Sequence, residues 1–226
     1  MRFRSGLFIA VIIAITGNSC KDKGEKNIDQ GEIHYTIEYK GNVGTVKDFM
    51  PKNLIVSFKD NKILFEISTI GNSGILNLSN PEDGIYDTYI SLFTIRYFYA
   101  GEEGEIHPGF EAMEGMEIRK TSRTAVICGF NCKGAEITIP SNPDNVHEIW
   151  YTNEINVKNP NAATPYSELD GVLMSFFFIM GSAEMHFMAE TVFKKEIPDK
   201  YFERRDKYVR ISKKDIDSFI NRMINL

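Results

Sequence analysis

The chain lacks nearly every residue pattern that announces a reaction. Its four histidines, His34, His107, His147 and His186, show no H-x-x-x-H or H-E-x-x-H spacing. His147 and Glu148 are neighbours in a strand-like run, which points them to opposite faces. No phosphate-binding loop or dinucleotide glycine fingerprint occurs. The short GNSG stretch at 71–74 has neither the length nor the strand-to-helix setting of a nucleophile elbow and reads as a turn. Glu102 and Glu103 sit in AGEEGE, a solvated turn rather than an acid/base pair. The expectation is no catalytic residue, no metal ligand set and no cofactor, hence not an enzyme. Basic charge is also scarce. Against 31 acids stand 26 Lys and Arg, a net charge of −5, with no dense basic run beyond residue 30. That excludes a nucleic-acid partner. Finally, no apolar run is long enough to cross a bilayer as a helix, which takes roughly 20 residues.

The longest apolar run, Leu7 to Ile15, follows Arg2 and Arg4 and precedes the small residues Gly17 and Ser19. That is the layout of an export signal. Cys20 comes next, and nothing around it can form a core. The site resembles the lipobox of bacterial lipoproteins, with Gly17 where leucine is usual. The resemblance implies cleavage before Cys20 and acylation of its side chain, with a plain cleaved signal or an uncleaved anchor as the alternatives. Residues 1–19 are therefore expected to be a signal peptide and 20–30 a lipidated flexible tether. Residues 31–226 form a single β-rich domain, a length that buries a core unaided. Without residues 1–19 the chain has 24 basic and 31 acidic residues, a net −7.

With Cys20 acylated, Cys128 and Cys132 remain, flanking GFN between two strand-like runs. Across a hairpin they lie within disulfide range. A disulfide, two packed free thiols and a redox pair all stay open, although redox chemistry favours C-x-x-C opening a helix.

What the chain does have is β-forming material, including 16 Phe and 10 Tyr. EIHYTIEY alternates strictly. LIVSF and ILFEIS flank an Asp-Asn turn, so Leu54, Val56 and Phe58 share a face with Ile63, Phe65 and Ile67. GILNLS, IYDTYISLFTIRYFYAG, GMEIRKTSRTAVIC, CKGAEITIP, HEIWYTNEI, VLMSFFFI and SAEMHFMAETVF supply further strands, and NPNAATPYSELDG a proline-containing loop. Near the end the period changes. Ser212 is a helix N-cap with Asp215 three residues on, and Ile216, Phe219, Ile220, Met223 and Ile224 recur at helical spacing. The fold class is mainly β (α+β): a strongly curved antiparallel sheet or half-barrel of about 8–11 strands, with a C-terminal amphipathic helix packed on it.

Phe176, Phe177 and Phe178 point aromatic rings to both faces of one strand, so both faces are covered. Either protein covers both, or a curved sheet leaves an apolar cleft lined by Trp150, Phe176, Phe178 and Phe187.

From Thr121 onward, TAVICGFNCKGAEIT, EIWYTNEI, LDGVLMSF and KKEIPDKYFERRDKY succeed one another, after the opening GEIHYTIEY. Ile127, Gly129, Phe130, Cys132 and Lys133 carry the first motif and Trp150, Tyr151 and Thr152 the second. Asp170 to Leu173 carry the third, and Asp199, Phe202 and Tyr208 the last. This order resembles an uncharacterised secreted bacterial lipoprotein family with a domain of unknown function, related to the GLPGLI-named family. Such domains are similar to the outer-membrane lipoprotein carrier fold, a bent antiparallel sheet with helices across its concave side that can hold acyl chains. The resemblance implies a non-enzymatic cell-envelope lipoprotein, facing the periplasm or in the outer membrane, with a lipid or other apolar ligand in the hollow of the sheet. An anchored module that binds envelope proteins is the alternative. The expected partners are the membrane through the anchor, a lipid-like ligand and envelope proteins.

Overall fold

The computed structural model describes residues 27–40, 50–68 and 73–224. The signal segment, Cys20 and most of the expected tether lie outside the described residues.

Twelve strands form one sheet. They are β1 (Gln30–Lys40), β2 (Asn53–Lys59), β3 (Lys62–Ser68), β4 (Gly74–Asn80), β5 (Ile85–Leu92), β6 (Ile95–Gly101), β7 (Glu117–Ile127), β8 (Phe130–Ile139), β9 (Asn142–Thr152), β10 (Val172–Met180), β11 (Ala183–Lys194) and the two-residue β12 (Val209–Arg210). Their order is β12-β6-β5-β4-β3-β2-β1-β11-β10-β9-β8-β7. All neighbours pair antiparallel except β12, which runs parallel to β6. In this order β1 to β6 and β7 to β11 each run through consecutive strands, so the sheet is two meanders that meet at the β1–β11 pair.

The β2–β3 hairpin has the register its alternation predicts: Leu54 opposite Ile67, Val56 opposite Phe65, Phe58 opposite Ile63. Its turn places Asp60 at a positive φ of 55°, a conformation that Asp tolerates better than most residues. The single helix α1 (Lys213–Ile224) starts as read from the sequence: Ser212 Oγ accepts from the Asp215 N–H at 3.2 Å and donates to Asp215 Oδ2 at 2.6 Å. Ile216 and Ile220 are fully buried. The helix packs on both β6 and β10, which lie seven places apart in the sheet. Only a strongly curved, open sheet allows that.

Protein covers both faces. On the concave side lie α1, the loop after β6 and the proline-containing loop after β9; the two loops are tied by the His107 N–H to Ala163 C=O bond of 3.0 Å. On the convex side the segment after β11 crosses β3–β6 and buries Ile197 and Phe202 against Leu64, Leu78 and Tyr89. The crossing is clamped by an ion pair. Arg204 donates from Nε and a terminal nitrogen to the two oxygens of Asp87 at 2.8 and 2.9 Å. Tyr89 donates to the same carboxylate at 2.6 Å. Asp87 is fully buried and Arg204 about half exposed. Arg204→Ala is expected to destabilise the domain by about 2–3 kcal/mol in urea unfolding, since it strands a buried carboxylate. Lys should rescue only part, because it lacks the two-pronged fork. A loss below about 0.5 kcal/mol, the size of an ordinary surface change, would overturn this reading.

Two expectations need correction. The tether was placed at residues 20–30, but Ile28 is a core residue, 2% exposed, bridged to Ile155. The domain therefore includes Ile28; one apolar side chain among polar neighbours has no period, and only its distant partner reveals it. The second concerns the GFN loop; of the alternatives left open for Cys128 and Cys132, the structure has the two free thiols. The hairpin turns on Cys128 and Gly129, at φ 52° and 82°, as a two-residue turn with both central residues at positive φ. Cys132 thus faces Ala125, while Cys128 occupies the turn with its Sγ on the Ala189 carbonyl at 3.3 Å. The loop is residues 128–129 rather than the 129–131 of the GFN reading, so the two cysteines are not cross-strand partners. Burial pushes the Cys132 thiol up to about 11 and raises Cys128 as well, which argues against the redox alternative.

Candidate functional site

Phe176, Phe178 and Phe187 do come together. Phe176 and Phe187 are register partners, their rings stacked at 4.8 Å, and Phe178 packs edge-on to both. Tyr35 closes the group from β1. They do not line an open cleft. Tyr166, from the loop after β9, lies against this aromatic wall and donates to the Phe177 carbonyl at 2.6 Å. Asn161 locks the same loop by donating to the Leu169 and Gly171 carbonyls, both at 2.9 Å. The gaps left along the wall, one by Ile33, Tyr35 and Phe176 and one by Leu54, Phe110 and Phe178, are each about 10 Å³. That is water-sized. Trp150, expected to line the same cleft, stands opposite Ser175 and so on the other face of the sheet. It packs over the space above Gly134, where a Cβ would come within 3.3 Å of its ring.

Open space lies instead at the end of the hollow, where the loop after β6 meets α1. A cleft of about 450 Å³ is lined by the apolar Ile106, Phe110, Met113 and Pro165 together with the ionisable Glu111, Glu114, Lys213 and Asp217. Three local features build it. Gly109, at φ 96°, lets the loop turn so close to β10 and the helix that a Cβ there would lie 2.7 Å from Met180 Cε and 3.2 Å from Ile220 Cδ1. The short 3-10 turn Glu111–Met113 aims Glu111 back toward the helix. Asp217 sits on the helix face next to the buried Ile216 and Ile220.

The Gly109 N–H donates to Asp217 Oδ1 at 3.0 Å and leans toward Glu111 Oε1 at 3.4 Å. Burial, then the hydrogen bond shared with Glu111 and its negative charge, push the Asp217 carboxyl up to about 7. Burial also works to raise Glu111, but the bonds from Asp217 and the backbone N–H groups outweigh it and leave that carboxyl below its ordinary range. Near neutrality the two acids share one proton, carried by Asp217. Lys213 is held by Glu105 at 2.8 Å, and Tyr99 donates to the same carboxylate at 2.9 Å. Behind the cleft, His107 is buried between Ser79 Oγ (3.2 Å) and Thr88 Oγ1 (3.1 Å). Burial lowers it to about 4, although Asp87 and Glu105 pull the other way.

The Asp217 shift has a sign. A carboxyl raised from 3.8 to about 7 contributes stability that is full below 3.8 and lost as the pH rises through 7. Asparagine imitates the protonated form throughout. Asp217→Asn should therefore gain thermal stability over the parent as the pH rises from 4 to 7 and hold the gain at pH 8. Parallel melting curves for the two proteins across that range would contradict the shared proton.

No residue of this constellation was singled out in the sequence. Glu111 and Asp217 lie on different elements far apart in the chain, and no local pattern marks either. The only hint was Gly109 after a proline, a turn signal without chemistry. Ser73, from the GNSG stretch, accepts the Phe93 N–H at 3.2 Å; residues 71–72 lie outside the described set. Among the described residues no helix is long and apolar enough to cross a membrane.

No family model matches the chain, and no curated protein matches it in sequence. Among solved structures it is similar to PNGF-II, at 18% identity and a TM-score of 0.51, over 87% of this chain and 32% of that one. The Mycobacterium tuberculosis lipoprotein LppX gives 12% identity and a TM-score of 0.34, over 75% of this chain and 89% of that one. The chain thus spans about a third of the length of PNGF-II, and that likeness concerns the fold alone: an open, curved sheet with a helix and loops across its concave side.

Proposed function

We propose that this is a non-enzymatic binding domain of the cell envelope, anchored through an acylated Cys20, and that it takes an amphiphilic, lipid-like ligand at the cleft between the loop after β6 and α1. The observation that carries the reading is the division of space: the aromatic hollow is filled, while the cleft offers about 450 Å³ with both apolar and ionisable groups in its lining. Volumes of this order suit a small molecule or a lipid head with its first methylenes. Ile106, Phe110, Met113 and Pro165 would meet the apolar part. The proton-sharing pair Glu111 and Asp217, with Lys213 beside it, would bind hydroxyl or other polar head atoms.

The test uses the full chain in native mass spectrometry together with displacement of anilinonaphthalene sulfonate by a lysophospholipid. Ile106→Asp is a suitable probe because Ile106 is already 39% exposed, and it should abolish displacement without unfolding the domain. Absence of any lipid adduct, or equal displacement by the variant, would sink the reading. The anchor is tested apart, by fractionation: Cys20→Ser should leave the membrane.

The alternative, an anchored protein-interaction module, finds no support in β7. Among the described residues this eleven-residue strand is an edge of the sheet. Arg119, Lys120, Arg123 and a register break between Lys120 and Thr124 blunt that edge, as edges that avoid pairing are blunted.

A further inference from the structure

On the convex face three strands bring together residues that share no sequence motif. Alternation along β11 puts Glu184 and His186 on one face. His147 reaches the same place from β9. Between them lies Phe177 of β10, whose ring forms the floor: its centroid is 4.2 Å from that of His147 and 5.6 Å from that of His186, with interplanar angles of 25° and 23°. His186 Nε2 lies 2.5 Å and His147 Nδ1 3.7 Å from Glu184 Oε1. One ligand atom from each of the three residues falls within 4.8 Å of the others.

We infer that His147, Glu184 and His186 form a binding site for a divalent transition-metal ion of the zinc or copper class. Two imidazoles and a carboxylate are the donor set such ions favour, with remaining positions left to water. The distances are those of ligands that need only small rotamer changes to close on one ion. The Asn145 side-chain amide lies 2.9 Å from His147 Nε2; turned so that its oxygen faces the ring, it would accept the Nε2–H that a histidine ligating through Nδ1 carries, as outer partners of metal-bound histidines do. Stacking on Phe177 fixes the ring planes. The His147 side chain is 11% exposed, whereas Glu184 and His186 are 27% and 31% exposed, which leaves one side for the ion to enter. The neighbouring β1 places Glu38 opposite His186 and Lys40 opposite Glu184; the two are ion-paired at 2.6 Å, so the lysine charge is matched locally rather than directed at the site. The sequence showed no such site because the ligands come from strands separated by a third.

The experiment is calorimetric titration of the full chain, free of any histidine tag, with zinc chloride, and electron paramagnetic resonance of the copper(II) form. One ion per chain is expected, with hyperfine coupling to two imidazole nitrogens. His186→Ala should weaken binding by about tenfold or more and leave one coupled nitrogen. Glu184→Gln, which keeps the shape and hydrogen bonding of the site, should weaken it without altering the fold. His34→Ala should change nothing, since His34 lies elsewhere with Glu32 and Phe193. No stoichiometric uptake, or uptake unchanged in both His186→Ala and Glu184→Gln, would overturn the assignment.

Discussion

Replacing Tyr166 with alanine is expected to cost about 3–5 kcal/mol in denaturant unfolding, the range for removing a large buried aromatic side chain. Tyr166 is wholly buried. Its ring touches those of Phe176, Phe177 and Phe178, and its hydroxyl satisfies the Phe177 carbonyl. The loop that carries it is the cover of the hollow, so the alanine variant loses contacts on both sides of the interface. Tyr166→Phe separates the two contributions. It keeps the ring and removes one buried hydrogen bond, for about 1 kcal/mol. The alanine variant should also bind anilinonaphthalene sulfonate in the opened hollow, while the phenylalanine variant should not. Equal costs for the two changes, or an alanine cost below about 1 kcal/mol, would mean that the loop rests on the sheet without closing it.

Mild acid is the second large effect. His107 is buried and neutral, and its pKa is lowered from 6.5 to about 4. A base that takes up its proton less readily when folded stabilises the fold fully above 6.5, and that contribution is lost as the pH falls from 6.5 toward 4. At 1.36 kcal/mol per pKa unit, the loss is about 3 kcal/mol. The groups around it are Ser79 and Thr88 at hydrogen-bond distance, with the charges of Asp87, Glu105 and Lys213 further off. Asp217 works in the opposite sense over much of the same window, so the parent protein alone does not separate them. His107→Gln does: it cannot take up a proton. The stability difference between parent and variant should shift by about 3 kcal/mol in the variant's favour between pH 7 and pH 4. Parallel profiles would show that His107 is protonated in place without penalty.

These two residues illustrate where the sequence was legible and where it was not. Strand existence followed from alternation, because period 2 along EIHYTIEY or LIVSF needs no partner to be read. The β2–β3 register followed from the same pattern, since slipping it by one residue would turn Leu54, Val56 and Phe58 outward. The α1 start followed from Ser212 and Asp215, a cap that is local by construction. By contrast, Tyr166 sat in a stretch read only as a loop, and His107 was read only as one of four scattered histidines. Their burial depends on a contact between two loops, His107 N–H to Ala163 C=O, that no periodicity encodes. The GFN loop was misplaced for a related reason. Where a two-residue turn begins is decided by which residues take positive φ, and Cys-Gly took it one position earlier than the composition of GFN suggested.

The sequence by itself determined a β-rich chain with alternating, aromatic strands, one capped C-terminal helix and no local catalytic motif, because each of these depends on neighbours within a few residues. The tertiary structure alone decided the rest. Curvature brings β6 and β10 under one helix, and a loop fills the aromatic hollow. Glu111 meets Asp217 across a cleft, and three strands gather His147, Glu184 and His186 over Phe177. All of these arise from contacts between segments far apart in the chain, where the energies are set by burial and by partners that no local pattern of residues can name.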